Sequence, residues 1–122
     1  MCFIVKKLER KIAKKNISCY KILEKRNFGN RFLCSPYYNF HWKLGVEEST
    51  YLENLDQYDI VFQINEGFHS YITKKKAIDK KTIMLCNDIS FVFKAIIPKG
   101  AEYYENEFEY VSNKLVIEKE VI

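Results

Sequence analysis

Apolar and polar residues in this chain alternate far more often than they recur at helical spacing, and alternation is the signature of half-buried strands. The clearest run is Ser90 to Ile97. Phe91, Phe93, Ala95 and Ile97 fall on one side, and Val92 and Ile96 flank Lys94 on the other. A strand this apolar on both faces belongs in the middle of a sheet, and Pro98-Lys99-Gly100 stops it. Phe40, Trp42 and Leu44 alternate with His41 and Lys43, which predicts a strand with the first three on the core and His41 turned away. Ile60, Phe62 and Ile64 alternate with Val61 and Gln63 and run into a turn signal at Asn65-Glu66-Gly67. A second extended piece through Ile72 carries His69 and Tyr71. Asn16 to Glu24 reads as a strand, Lys25 to Asn30 as a turn, and Arg31 to Cys34 as the returning arm of a hairpin. Glu47 to Asp59 is polar and reads as a loop anchored by Tyr51, Leu52 and Leu55. Tyr110 to Ile122 closes the chain as one or two strands.

Helical spacing occurs in two places. Ile4 or Val5, Leu8 and Ile12 share one face of a possible helix over residues 1–16, with lysines around the rest. Thr73 is placed to cap a short helix, and Ile72 and Ala77 are spaced for a hydrophobic staple. Lys74, Lys75 and Lys76 occupy its first turn, where positive charge opposes the helix dipole. The pattern as a whole predicts a single small α+β domain with a mostly antiparallel sheet of five to seven strands and one or two short helices. Residues 1–16 form a basic N-terminal segment, and residues 17–122 form the domain.

Composition narrows this picture without changing it. The chain has 122 residues, enough for one core without staples, and its 16% aromatic content suits pleated surfaces. The net charge of +4 is concentrated at one end. Residues 1–16 hold six Lys and Arg against Glu9 alone, so the remainder is close to neutral and carries no chain-wide basic field for nucleic acid. Residues 101–122 carry six Glu against Lys114 and Lys119, so the two ends of the chain attract. Cys2, Cys19, Cys34 and Cys86 contain no Cys-x-x-Cys pair. This excludes the usual zinc-knuckle and thioredoxin spacings and points to reduced thiols and a cytoplasmic setting. The apolar start, Met1 to Val5, is too short for a secretory signal, and no run is long enough for a transmembrane segment.

Candidate chemistry is sparse. The four glycines are scattered, so no phosphate loop forms, and no serine sits in a nucleophile elbow. Cys34, His41, His69 and Cys86 are the donor types of a tetrahedral zinc site, but their spacing matches no standard pattern. The expectation is therefore no metal and no cofactor. The sharpest feature is Gly67-Phe68-His69-Ser70-Tyr71. A histidine and a tyrosine two apart on a strand point to the same side, which suits a small aromatic-floored pocket with Tyr20. The competing structural reading has His69 tying down a loop carbonyl. Lys74, Lys75 and Lys76 are candidates for an anion, set against the more common reading of a solvated helix face.

Several runs together resemble a family of small uncharacterised proteins from bacteriophages and gut bacteria. They are Cys19 to Leu23, Ser35-Pro36-Tyr37 through Gly45, Glu66 to Tyr71, Ile96 to Tyr104, and Ser112 to Leu115, and they cover roughly residues 18–117. The resemblance implies a phage-type accessory or binding protein, acting in the host cytoplasm where phage-encoded, and it brings no activity with it. A looser similarity is to small ADP-ribosyltransferase-like domains, in which an early strand, a mid-chain corner and a late acidic residue share a nicotinamide pocket. That layout implies convergence of Tyr20 or Lys21, His69 with Tyr71, and one of Glu105, Glu107 or Glu109. The Arg or His and Ser-Thr-Ser elements of that family have no match here. The chain is therefore expected to be a non-enzymatic binding protein, with a divergent nucleotide-binding enzyme as the alternative. Nucleic-acid binding is a third option, and it requires residues 1–16, Lys74 to Lys76 and Lys80-Lys81 to share one face.

Overall fold

Strand-forming runs occupy the chain from its first residues. The computed structural model describes residues 3–5, 9–28, 30–34, 41–52, 55–58, 61–64, 66–84 and 87–121. Phe3–Val5 (β1) and Lys11–Ile12 (β2) precede the longest strand, Ile17–Phe28 (β3). Asn30–Cys34 (β4) turns back on it, followed by His41–Trp42 (β5), Glu47–Ser49 (β6), Leu55–Tyr58 (β7), Val61–Ile64 (β8) and Phe68–Tyr71 (β9). Lys74–Thr82 is the α-helix, α1, and a 3-10 turn at Asn87–Ile89 introduces Ser90–Ile97 (β10). Glu102–Glu105 (β11), Glu109–Ser112 (β12) and Lys114–Glu120 (β13) complete the order.

These strands form two antiparallel sheets. The smaller has the order β1-β8-β7, and the larger runs β2-β11-β12-β9-β3-β10-β13-β6, with β4 added along β3 and β5 along β4. The domain is α+β with one helix among the described residues, but it is richer in strand than the expected five to seven. The surplus comes from short strands such as β2, β6 and β11. They lack hydrophobic alternation and are held by backbone hydrogen bonds to a neighbour, which side-chain periodicity does not reveal. The expected central strand is β10, flanked by β3 and β13. Val92, Phe93, Ala95 and Ile97 are all buried in it.

The helix expected over residues 1–16 is corrected. Phe3 and Val5 are buried while Ile4 is exposed, a period of two, and they lie opposite Ile64 and Phe62 of β8. Ile12, assigned to the apolar stripe of that helix, is 62% exposed on β2, and Leu8 lies outside the described residues. β2 instead joins the large sheet, and its ladder is extended by Ala13 N–H donating to Ala101 O and Gly100 N–H to Ala13 O. The segment is therefore woven into both sheets. Of the Phe40, Trp42 and Leu44 face, Trp42 is buried, Leu44 is 54% exposed and Phe40 lies outside the described residues. β5 ends at Trp42, and a turn at Leu44-Gly45 releases Leu44 from the core.

One cluster fills one face of the large sheet, with Cys19, Leu23, Trp42, Phe68, Phe93, Ala95, Ile97, Leu115 and Ile117. On the opposite face the small sheet packs through Phe3, Val5, Leu52, Ile64, Tyr104 and Val111. Helix α1 covers Ile22, Tyr71 and Val92 with Ala77. The Thr73 side chain caps the helix by accepting from Lys76 N–H at 3.2 Å, as its position predicts. No helix among the described residues is long and apolar enough to cross a membrane.

Candidate functional site: a polar seam between β9 and β3

β9 pairs with β12 along its whole length, from Phe68↔Ser112 to Tyr71↔Glu109, but meets β3 at one position, Tyr20↔Tyr71. On the same flank of β3, β4 begins at Glu24↔Cys34. The two partners thus diverge around Lys21, Ile22 and Leu23. A carbonyl of β9 that faces this gap has no ladder amide opposite it, and a buried unpaired carbonyl is costly. Lys21 supplies the donor. Its Nζ gives a hydrogen bond to His69 O at 2.6 Å and lies 5.6 Å from the centre of the Trp42 ring. Trp42 in turn meets Phe68 edge to face at 4.8 Å.

Lys21 is 7% exposed, and burial lowers its pKa from the usual 10.5 to about 8, with nearby Cys19 and Glu109 acting in the opposite direction. Burial also pushes the Cys19 thiol up to about 11, against the Ser70 hydroxyl, the Lys21 ammonium and the backbone at Ile97, which lower it. Strand alternation sends Cys19, Lys21 and Leu23 to the same face. A lone lysine in that apolar series was the one sequence signal for this residue.

His69 and Tyr71 leave β9 on the other face, as their spacing predicts. The His69 ring stands edge-on to Phe3 at 6.1 Å, and its Nδ1 lies 3.8 Å from Glu109 Oε2. Neither ring nitrogen of His69 has a hydrogen-bond partner among the described residues, nor does Glu109 Oε2. Among the described residues the imidazole therefore ties down no carbonyl; its own carbonyl is held by Lys21. Tyr71 packs in the helix-covered cluster, with Tyr20 against it. His69 is 9% and Tyr71 8% exposed.

Gly67 sets the corner that aims this strand. Its φ of +139° is a conformation that L side chains rarely adopt. A Cβ there would run into the Val111 side chain and come within 2.8 Å of Leu52 Cδ1. The close approach of β9 to the small sheet's cluster thus requires glycine at this position.

The structure sets Tyr20 beside Tyr71 under the helix and His69 against Phe3 and Glu109, while Lys21 reaches the His69 carbonyl from the opposite face of the sheet. Of the other two glutamates, Glu105 accepts from Lys11 at 3.3 Å on the β11–β2 flank. Glu107 lies in the exposed turn before β12, where its carbonyl accepts from Lys76. Lys76 also lies 5.0 Å from the Phe108 ring centre, while Lys74 and Lys75 are exposed. α1 packs on β10, β3 and β9, in the interior of the strand order, whereas basic β2 lies at its end. For the zinc reading, His41 is exposed on β5, and the Cys34 and Cys86 side chains lie outside the described residues. Among the described residues no three His, Cys, Asp or Glu gather. No family model, curated protein or solved structure matches the chain.

Proposed function

We propose that this chain is a non-enzymatic accessory protein of the phage type, which binds its partner through its surface and uses the β9–β3 seam to hold the fold together. One observation carries this reading. The groups that would do chemistry are enclosed: His69 and Tyr71 are at most 9% exposed, and the Lys21 ammonium is engaged by the His69 carbonyl. A general base must come within hydrogen-bond reach of a substrate proton. Here the imidazole is walled by Phe3 of the small sheet and the seam by Trp42 and Phe68.

A second reading rests on a different observation. Tyr20 pairs with Tyr71, Glu109 Oε2 lies 3.8 Å from His69 Nδ1, and the His69 nitrogens and Glu109 Oε2 are unpaired within the described residues. Thermal unfolding in millimolar NAD and other nucleotides separates the two, because a ligand that binds the native state raises the transition temperature. No shift is expected. A rise that disappears in Glu109→Gln would overturn the accessory reading in favour of the enzyme.

A further inference from the structure

The two ends of the large sheet are open edges of opposite charge, and we infer that they join one copy of this chain to the next, head to tail, with β2 of one copy adding to β6 of another. The backbone geometry is present on both edges. Thr50 N–H donates to Asn113 O at 2.8 Å in register with the β6–β13 ladder. In an antiparallel pair alternate residues face the neighbour, so Glu48 turns its amide and carbonyl to β13, while Glu47 and Ser49 turn theirs outwards. At the other end Ala13 N–H donates to Ala101 O at 2.8 Å, so Lys11 faces β11 and Ile12 presents its amide and carbonyl outwards. Neither edge has a further strand partner among the described residues. Unpaired edges of this kind template strand addition.

Charge selects the pairing. The β6 edge carries Glu47 and Glu48; immediately past the β2 edge stand exposed Lys14 and Lys15, while Lys11 is already paired with Glu105. Two β6 edges would set glutamate against glutamate, and two β2 edges lysine against lysine, which disfavours both symmetric arrangements. The unlike edges attract. Both also carry apolar side chains in solvent: Ile12 at 62% exposure on β2, and Leu44 at 54% and Tyr51 at 78% on either side of β6. Because the two edges are different surfaces, the contact repeats. Growth ends in a ring if the rotation closes and continues as a filament if it does not.

This inference goes beyond the accessory reading and is independent of whether the seam binds a nucleotide. Sedimentation of the full chain from micromolar to millimolar concentration tests it. The weight-average mass is expected to rise with concentration and fall with added salt. Glu47→Lys with Glu48→Lys, and separately Lys14→Glu with Lys15→Glu, are each expected to weaken association about tenfold or more. An equimolar mixture of the two variants should restore it. Ser49→Pro is the control for folding, since its amide points away from β13. It should block addition while leaving the melting transition close to wild type. A chain that stays monomeric throughout overturns the inference, as does an assembly indifferent to both charge reversals and to Ser49→Pro.

Discussion

Lys21 is a buried ammonium whose Nζ donates to one backbone carbonyl, and its protonation links directly to stability. Its folded pKa of about 8 lies below the unfolded 10.5, so below pH 8 both states carry the proton and the full cost of burying it is present. From pH 8 upwards the folded chain releases the proton first, the unfolded state binds more protons, and stability rises. Cys19 acts in the opposite sense. Its folded thiol holds on to about 11 against an ordinary 9, so stability falls once the unfolded thiol ionises above pH 9. In the interval from pH 8 to 9 the lysine outweighs the thiol, because the unfolded thiol reaches half ionisation only at its upper end. Unfolding free energy from urea titrations should gain about 1 kcal/mol across it, and Lys21→Met should flatten that rise. An unchanged slope in the variant would show that the ammonium is solvated. At pH 7 the variant is expected to lie close to wild type, because relief of the buried charge is offset by the loss of a donor to the His69 carbonyl. The shared face of His69 and Tyr71 was legible from their spacing alone. Their closeness to Glu109 was not, because it depends on a register set by the turn before β12, where Asn106 Oδ1 accepts from Phe108 and Glu109 N–H at 2.9 and 2.8 Å.

At the scale of elements, β9 is fixed from one end by Gly67 and from the side by β12. Gly67→Ala combines a strained positive φ with collision against Val111 and Leu52. It should destabilise by about 3 kcal/mol or more. Gly45→Ala meets open space at φ +76° and should cost about 1 kcal/mol. Denaturant midpoints of the two variants measure the difference, and equal losses would mean that the approach of β9 to the small sheet is looser than described. Sequence patterning recovered β10 to the residue, because a short run rich in aromatic and β-branched residues is bounded by Asn87-Asp88 and Pro98-Lys99-Gly100. It also placed the α1 cap. It missed β2 and β6, which are only two and three residues long and are held by the neighbouring backbone. β1 was read as helix because three alternating residues fit either period until a partner strand selects one.

For the molecule as a whole, the small sheet packs on the large one through an apolar cluster in which Phe3 is fully buried. Phe3→Ala should cost about 3 kcal/mol. Amide exchange should accelerate first in β8 and β7 while β10 and β13 stay protected. Uniform acceleration across both sheets would instead make the two layers one cooperative unit. The α+β class was legible from composition and alternation, but the strand order was not, since pairings such as β3 with β10 join residues far apart in sequence.

That last pairing has a cost during synthesis. β3 leaves the ribosome well before β10, yet Ile17 finds its place only beside Ile97. Until β10 follows, a long, sticky ribbon must wait without its neighbour, and contacts this distant in sequence also slow refolding. The nascent chain is most vulnerable to clumping in this waiting period, and dependence on a holding chaperone should end once residue 97 has cleared the exit tunnel.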